Sequence, residues 1–378
     1  MERMPKIEPE RIIMKATGVG VVGGSTSGWA SMSHLPALAA SPDFELRAVS
    51  TSRPSSAQSA AVQYGVAAYD NHQELIAHPG VDMVVVSVKV TEHLDIVTAA
   101  LAAGKTVYSE WPLANGLAHA EKLAELARAA SARTVVGLQG RYAPEVRLAR
   151  DLVRDGYVGK VLGTTMTGSG MAWGAEAAES QVYWYDNANG ATPLTSPTLH
   201  ALDPLHFVLG EFDTVAANLV VGRTTATVAG SGRTVPVTAA DQVAVIGTLH
   251  SGAAASVFYR GGASRGDNFR WEINGSEGDL VLTSAWGNMQ VAQLDLAGGR
   301  GKDSTVEPLK PPASYTDDIP AELRGTVGAN VARLYAALGK DLAESTYTVP
   351  DFEHALARHR LIDAIERAAA TGNTQTVH

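Results

Sequence analysis

VGVVGGSTSG, residues 19–28, decides the fold of this chain. Its apolar run predicts a buried strand, and the glycines beside and after that run predict a tight turn. Apolar residues at helical spacing follow from Gly28 to Ala40, which gives the order strand, turn, helix. Valine-rich runs such as Asp82 to Val88 alternate with further helical patterns up to residue 140. This alternation predicts a doubly wound parallel sheet with helices on both faces.

The turn at residues 23–28 also predicts a ligand, because a parallel sheet binds ligands at the carboxyl ends of its strands. Its outline is G-x-S-x-x-G, with a serine at the middle glycine of the dinucleotide fingerprint. Free N–H groups in such a turn can hold a pyrophosphate. We therefore predict that a dinucleotide is bound by Gly23, Ser25, Thr26, Ser27 and Gly28. A turn with a purely structural role is the alternative.

The end of the second strand bears on the choice of cofactor. Residues 49–53 read VSTSR, so the acid that usually binds the ribose 2′-hydroxyl of NAD is missing. Thr51, Ser52 and Arg53 would instead suit a 2′-phosphate. The sequence therefore predicts NADP or NAD as the cofactor and favours NADP, with a solvated loop position as the alternative role for Arg53.

From residue 141 the pattern changes to strands joined by turn signals, which predicts an α+β domain with a largely antiparallel open sheet. We predict one domain over residues 1–140 and a second over residues 141–378, with the C-terminal helices packing back. Met289 to Leu294 is among the predicted strands. Asn71 and Asn115 are predicted to cap helices in the first domain.

An aromatic and glycine-rich stretch, residues 168–190, has little periodicity. Long irregular segments of this kind often cover active sites. The stretch supplies Trp173, Tyr183 and Tyr185 as candidate site residues, and packing in the core or the loop is the alternative role for the two tyrosines.

Composition limits the classes of function. Acidic residues outnumber basic ones by 39 to 30 in 378 residues, so neither nucleic acid nor an anionic membrane is expected as a partner. The chain has no cysteine, which excludes disulfides and thiolate chemistry. Residues 1–18 contain no apolar signal segment, and the longest apolar runs are too short to span a membrane. We therefore expect a cytoplasmic protein.

The order of the motifs resembles the Gfo/Idh/MocA family of NAD(P)-dependent oxidoreductases over nearly the whole chain. The resemblance rests on residues 19–28 together with HLPAL at 34–38, VDMVVV at 81–86, GKTV at 104–107, EWPL at 110–113, RYAP at 141–144 and the helix that holds His200 and Asp203. It implies an N-terminal Rossmann domain, a sugar, polyol or related hydroxyl compound as substrate, and a homodimer or homotetramer. It also implies a place at the cofactor for Trp29, His93, Glu110 and Trp111.

Two departures from the family concern its acid–base groups. Active members usually carry Glu-Lys-Pro where this chain has Glu110, Trp111 and Pro112, and many carry an aspartate where this chain has Ser196. These departures resemble the galactose/lactose metabolism regulatory branch, whose known fungal member binds NAD(P) and represses transcription through protein contacts. We favour an oxidoreductase. The alternatives are a non-catalytic NAD(P)-binding regulator and a redox-neutral NAD(P)-dependent glycosidase or lyase.

His200 is the main candidate for proton transfer, because the pKa of an unperturbed histidine lies near neutrality. A satisfied structural histidine is the alternative. Lys89, at the end of a strand, and Tyr185 are further candidates for catalysis. An ordinary solvent-facing lysine and a packed tyrosine are the alternatives for these two.

Asp203 lies three residues beyond His200, within reach on a helix, and is a candidate for substrate binding together with Trp173 and Tyr183. A metal site is not predicted, because His200, Asp203 and His206 do not converge on one side of a straight helix.

Overall fold

The computed structural model describes residues 16–377 of the chain. The expectation about a signal segment concerns residues 1–18, most of which lie outside that range. Within the described range, no helix has the length and apolar character needed to cross a lipid bilayer.

A six-stranded sheet forms the first half of the molecule and confirms the predicted doubly wound arrangement. Its strands are β1 (Thr17–Val22), β2 (Phe44–Ser50), β3 (Ala67–Tyr69), β4 (Met83–Val86), β5 (Thr106–Glu110) and β6 (Thr134–Gly137). They lie in the order β3-β2-β1-β4-β5-β6, and every neighbouring pair is parallel. β4 is valine-rich and fully buried because helices cover both faces of the sheet.

The helices of this half are α1 (Trp29–Met32), α2 (His34–Ala40), α3 (Pro54–Tyr64), α4 (His72–Ala77), α5 (His93–Ala102) and α6 (Leu117–Ala129). Asn71 caps α4 as predicted, since its side chain accepts a hydrogen bond from the N–H of Glu74 at 2.9 Å. The same prediction for Asn115 is wrong. α6 begins after Gly116, and the Asn115 side chain donates instead to the carbonyl oxygen of Ala188.

A nine-stranded sheet forms the second half and confirms a largely antiparallel arrangement. Its strands are β7 (Val161–Ser169), β9 (Phe212–Val220), β12 (Gln242–Leu249), β13 (Ala254–Arg260), β14 (Phe269–Gly275), β15 (Gly278–Ser284), β16 (Asp295–Arg300), β17 (Glu307–Pro308) and β18 (Gln375–Thr376). Their order is β17-β16-β15-β14-β7-β13-β12-β9-β18, in which β7 and β13 pair in parallel. A small separate sheet joins β8 (Glu176–Ala177), β10 (Thr225–Val228) and β11 (Thr234–Pro236).

Five helices accompany this sheet: α7 (Pro144–Arg154), α8 (Leu199–Leu209), α9 (Ala313–Thr316), α10 (Ala329–Glu344) and α11 (Phe352–Thr371). α10 packs against α2, and α11 packs against both α6 and β9. The last two helices therefore contact elements of both sheets.

Met289 to Leu294 is a turn, so the strand predicted there is wrong. The strand of this region begins at Asp295. Met289 and Leu294 are nevertheless buried. The apolar residues that suggested a strand thus anchor an irregular segment, which places the polar side chains between them at the functional cleft.

Candidate functional site

A cleft of about 860 Å³ lies between the carboxyl ends of the parallel strands and the second half of the molecule. Three of its walls come from segments that follow β1, β4 and β5. The second half contributes Met171 to Trp184, the start of α8 and the turn after β15. The cleft therefore occupies the ligand position typical of a doubly wound sheet.

The turn after β1 has the geometry that a dinucleotide needs. Gly23 has a φ of 91°, and a methyl group there would lie 2.1 Å from the carbonyl oxygen of Ser87, so no other residue fits. Gly28 has a φ of 103° and faces open space at the cleft. Thr26 and Ser27 are exposed, and the carbonyl oxygen of Ser25 accepts a hydrogen bond from Tyr64 that ties the turn to α3. These residues fit the phosphates of a dinucleotide, whose charge the backbone N–H groups can meet.

At the end of β2, the Thr51 side chain forms hydrogen bonds within the protein, whereas the side chains of Ser52 and Arg53 are exposed. The hydroxyl of Thr51 donates to the carbonyl oxygen of Arg53 and accepts from Ser56, so it serves the start of α3. Ser52 and Arg53 are exposed, and the guanidinium of Arg53 has no ion pair within residues 16–377. Ser52 and Arg53 are thus the two predicted residues with free side chains for an adenosine ribose and its 2′-phosphate.

A chain of buried hydrogen bonds runs from α10 to the mouth of the cleft. The hydroxyl of Tyr335 lies 2.9 Å from Nδ1 of His34, and Nε2 of His34 lies 2.9 Å from Oε1 of Glu110. The other carboxylate oxygen of Glu110 accepts a hydrogen bond of 2.9 Å from the indole N–H of Trp29. Glu110 therefore holds the Trp29 side chain directly after the dinucleotide turn, and both residues line the cleft.

Trp111 and His93 also line the cleft but are held by backbone groups. The indole N–H of Trp111 donates to the carbonyl oxygen of Thr195 at 2.7 Å, and its ring packs on His359 with 4.8 Å between centroids. The two ring nitrogens of His93 lie 3.2 Å from the carbonyl oxygens of Leu113 and Val88. His93 thus joins the two loops that flank the cofactor position, and burial lowers its pKa.

His200 lines the cleft from α8 and is almost fully buried. Its Nδ1 has no hydrogen-bond partner in the part of the chain that the structure describes. Burial lowers the pKa of His200 to about 4, against smaller opposing effects of Glu110 and Asp203. The expectation of a pKa near neutrality is therefore corrected, and His200 is a neutral imidazole at pH 7.

Aromatic side chains form the outer wall of the cleft. The rings of Trp173 and Trp184 stack with 5.0 Å between centroids, and the ring of Tyr183 packs on Trp184. Trp173 and Met171 adopt φ values of 54° and 56°, which non-glycine residues rarely do. The indole N–H of Trp173 is shared between the carbonyl oxygens of Trp184 and Ala191. The wall is therefore a tied, strained segment rather than a loose loop.

Tyr185 and Lys89, the other two candidates for catalysis, lie outside the cleft. Tyr185 is buried in the small sheet, and its hydroxyl donates to the carbonyl oxygens of Gly174 and Glu176, so we withdraw it as a proton donor. Lys89 is exposed at the rim, with its ammonium nitrogen 4.8 Å from the ring centre of Tyr183. Its position is compatible with contact to a large ligand and not with a place beside His200.

Asp203 is also removed from the set of substrate-binding residues. Its carboxylate accepts hydrogen bonds from Arg141 and lies 2.7 Å from Nε2 of His354. Burial alone would raise the pKa of Asp203, but the charge of Arg141 and the contact with His354 hold it well below its usual range. Asp203 thus belongs to a buried ion cluster on the side of α8 away from the cleft.

Sequence reasoning missed the carboxamide side chains of the cleft, three of which, those of Gln139, Asn288 and Gln290, have a buried oxygen without a partner among the described residues. Gln139 stands in the Leu-Gln-Gly-Arg motif that follows β6, which is the one signal that could have found it. Gln290 lies in the segment predicted to be a strand and Asn288 directly precedes it, and no local pattern marks either residue.

The sheet order, the glycine turn and the cleft define a dinucleotide-binding protein with a Rossmann domain and a second, sheet-bearing domain. Residues 17–138 match the oxidoreductase family with an NAD-binding Rossmann fold, Gfo/Idh/MocA, and residues 144–284 match the C-terminal domain of Gal80p. The two matches follow one another along the chain, which is thus similar to the Gfo/Idh/MocA oxidoreductases in its first half and to Gal80p in its second.

Individual relatives include both dehydrogenases and regulators. The chain is 39% identical to the dehydrogenase aclE of Aspergillus oryzae over 46% of its own length and 48% of that protein, so it spans about half of that relative. It is 26% identical to the galactose/lactose metabolism regulatory protein GAL80 of Saccharomyces cerevisiae over 95% of this chain and 94% of that protein.

A third relative is the levoglucosan dehydrogenase of Pseudarthrobacter phenanthrenivorans, 26% identical over 94% of this chain and 97% of the enzyme. Among solved structures, a super-repressor mutant of the Saccharomyces Gal80p superposes with a TM-score of 0.86 at 23% identity, covering 96% of this chain and 99% of the other. This last likeness shows a shared fold.

Proposed function

We propose that the protein is an NAD(P)-dependent oxidoreductase that acts on a hydroxyl group of a carbohydrate or polyol. His200 carries this proposal, because it presents a buried and unpartnered imidazole nitrogen beside the cofactor position. A buried polar group without a partner costs free energy unless a ligand uses it. The similarity to levoglucosan dehydrogenase and to the dehydrogenase aclE supports the same class of reaction.

The cofactor, when bound, accepts a hydride on its nicotinamide ring. The turn at residues 23–28 would hold the pyrophosphate, and Ser52 and Arg53 would hold the adenosine ribose with its 2′-phosphate. The neutral imidazole of His200 would accept the proton of the substrate hydroxyl, which requires the unprotonated form that burial enforces. The stacked rings of Trp173 and Trp184 would exclude water from the reacting groups.

Reduction of the cofactor tests this function. The purified protein is mixed with NADP or NAD and a panel of neutral sugars and polyols, including levoglucosan and myo-inositol, and absorbance at 340 nm is followed. We expect turnover with at least one compound. Binding of the cofactor without reduction by any compound would contradict an oxidoreductase.

A cofactor-bound regulator without chemistry is the second candidate, and Trp111 is the observation that favours it. Its indole N–H is committed to Thr195, so it cannot relay a proton as the family lysine does. The similarity to GAL80 over nearly the whole chain supports the same class. In that case we expect no turnover, together with a purified protein partner whose affinity changes when NADP is added.

We also propose a homo-oligomer formed through the open face of the nine-stranded sheet. Ile246 and Val220 are exposed on this face. Across the strands Ile246 pairs with Ala216 on one side and with Ser256 on the other, so its neighbours are small and uncharged. A second copy can pack on this face around Ile246, and the charges farther along the face, Arg270 and Glu272, pair with each other.

A further inference from the structure

Five buried polar atoms without a hydrogen-bond partner within residues 16–377 line the same cleft. They are Oγ of Ser87, Oε1 of Gln139, Nδ1 of His200, Oδ1 of Asn288 and Oε1 of Gln290. Buried polar groups are normally paired, because each unpaired one costs about 1–3 kcal/mol. Five such atoms in one cleft point to a ligand that supplies the missing hydrogen bonds.

Three separate segments, which carry all of these groups except Ser87, meet at Gly140. A methyl group at this glycine would lie 3.3 Å from the carbonyl oxygen of His200 and 3.6 Å from Cα of Gln290. Gln139 directly precedes Gly140 in the chain. The segment after β6, the start of α8 and the turn after β15 therefore meet at one point, and each contributes an unpaired polar group.

The turn after β15 is fixed by its own contacts. The side chain of Asn330 donates to the carbonyl oxygen of Gln290 at 3.1 Å, and the hydroxyl of Tyr259 donates to that of Gly287 at 3.3 Å. Asn288 lies between these two anchors. The backbone that carries Asn288 and Gln290 is thus held in place before a ligand binds, which favours affinity because less ordering is needed.

The charges at the cleft are unsuited to an anion. Within residues 16–377, no lysine or arginine lines the cleft, but two acidic residues, Glu110 and Glu176, do. Lys89 stands at the rim with its ammonium group over the ring of Tyr183. Carboxamide, imidazole and hydroxyl groups donate and accept hydrogen bonds without net charge, as the hydroxyl groups of a sugar do.

We propose that Gln139, Asn288 and Gln290 select an uncharged polyhydroxylated ligand and that this cleft rejects the corresponding sugar acids and sugar phosphates. The stacked Trp173 and Trp184 offer the apolar surface against which a sugar ring packs. This inference rests on the proposed function in placing the ligand beside the cofactor. It does not require that the ligand reacts.

Tryptophan fluorescence measures the binding directly. Five of the six tryptophans line the cleft, namely Trp29, Trp111, Trp173, Trp184 and Trp286. Protein saturated with NADP is titrated with D-glucose, myo-inositol and levoglucosan, and with D-glucuronate, D-gluconate and glucose 6-phosphate. We expect that at least one neutral compound binds and that the charged compounds bind at least about tenfold more weakly. Equal or tighter binding of a charged compound, or no binding of any neutral one, would overturn the proposal.

Two variants separate recognition from folding. Gln139→Met and Gln290→Met keep much of the side-chain volume but remove the carboxamide, so ligand affinity should fall about tenfold. The Tm of the ligand-free protein should rise in both variants, because an unpaired buried group is lost. Thr98→Val is the matched control, since the Thr98 hydroxyl is also buried and unpaired but lies outside the cleft. It should leave ligand affinity unchanged.

A lower Tm together with unchanged ligand affinity in both glutamine variants would show that the carboxamides are structural, and would overturn the inference. The proposed oxidoreductase fails on a different result. If a neutral sugar binds and the glutamine variants weaken it, but no cofactor is reduced, the ligand class stands and the catalytic function does not.

Discussion

Trp111 takes the position of the family lysine, and its bond to Thr195 leaves its indole N–H unavailable for other partners. Asp203, the nearest carboxylate along α8, is committed to Arg141. Tyr185 is committed to two backbone carbonyls. These commitments support the proposal that His200 is the proton-transfer group, since its Nδ1 has no partner among the described residues.

Replacement of His200 by alanine should lower kcat by about 10²- to 10⁴-fold, the usual contribution of one acid–base group. Affinity for NADP should stay within about twofold, because the imidazole lies away from the dinucleotide turn. Since burial lowers the pKa of His200 to about 4, the acid limb of the wild-type pH–rate profile should lie near that value rather than near 6.5. Steady-state kinetics from pH 4 to 8 measure both effects. Full activity of the variant would contradict this role of His200 and would leave Tyr183 as the candidate in the cleft.

Replacement of Arg53 by alanine should weaken NADP binding about tenfold or more, because a guanidinium–phosphate contact is a charge-assisted hydrogen bond. Binding of NAD, which has no 2′-phosphate, should change little and serves as the internal control. Titration calorimetry measures both affinities. A wild-type protein that prefers NAD strongly, or a variant that keeps its NADP affinity, would contradict this assignment.

At the scale of elements, the two asparagines before α4 and α6 form a matched pair. Asn71→Ala should lower the free energy of unfolding by about 1 kcal/mol, because an N-cap hydrogen bond is lost. Asn115→Ala removes an exposed contact with Ala188 and no cap, so its effect should be less than half as large. Urea unfolding measures both. Equal effects of the two substitutions would contradict the capping assignment.

The parallel half was predictable from sequence because its signals are local. Gly23 and Gly28 mark a turn, and the valines of β4 mark a buried strand, each within a few residues. The turn after β15 was not predictable, because Met289 and Leu294 are apolar and buried whether the segment is a strand or a turn. Its shape is decided by Asn330 and Tyr259, which are distant in the sequence.

Site residues could be predicted from sequence where the end of a parallel strand fixes their position. They could not be predicted where the role of a side chain depends on its hydrogen-bond partners. The structure brings Trp29, His93, Glu110 and Trp111 together at the cleft, and their contact with the cofactor stays a prediction. The spacing of His200 and Asp203 suggested a common role. α8 in fact turns His200 to the cleft and Asp203 to Arg141, a difference that depends on residues far along the chain.

At the scale of the whole molecule, buried neutral histidines should make the protein sensitive to acid. Burial lowers the pKa of His200 to about 4 and that of His359 to about 3, and it lowers that of His93 as well. The unfolded chain, with histidine near pKa 6.5, therefore binds more protons than the folded one below that pH. Stability is full above pH 6.5 and falls as the pH decreases, by about 2 kcal/mol each for His200 and His359 between pH 7 and pH 5.

His359→Phe should remove one such contribution and flatten the loss of stability between pH 7 and pH 5, as measured by urea unfolding at both values. Phenylalanine keeps the ring that packs on Trp111. His119 is exposed, so His119→Gln is the control and should leave the pH dependence unchanged. A parallel pH dependence in wild type and His359→Phe would contradict this origin of acid sensitivity.

The proposed oligomer also belongs to this scale. Ile246→Glu places a charge at the centre of the open sheet face and should convert the oligomer to a monomer, because a buried unpaired carboxylate is costly. Light scattering after size-exclusion chromatography measures the mass. Val62→Glu places the same charge on the exposed side of α3 and should leave the mass unchanged. A monomeric wild type, or an oligomeric Ile246→Glu variant, would contradict the interface.

The contact between Trp111 and Thr195 has a consequence for the kinetics of ligand exchange. Trp111 directly follows β5 in the first half of the molecule, and Thr195 precedes α8 in the second half. Their hydrogen bond therefore connects the two halves. His359 of α11 supports the same indole. A hinge that swings one half away from the other would have to break both contacts. We therefore expect a bound ligand to leave the cleft slowly, because separating the two halves would cost both contacts at Trp111.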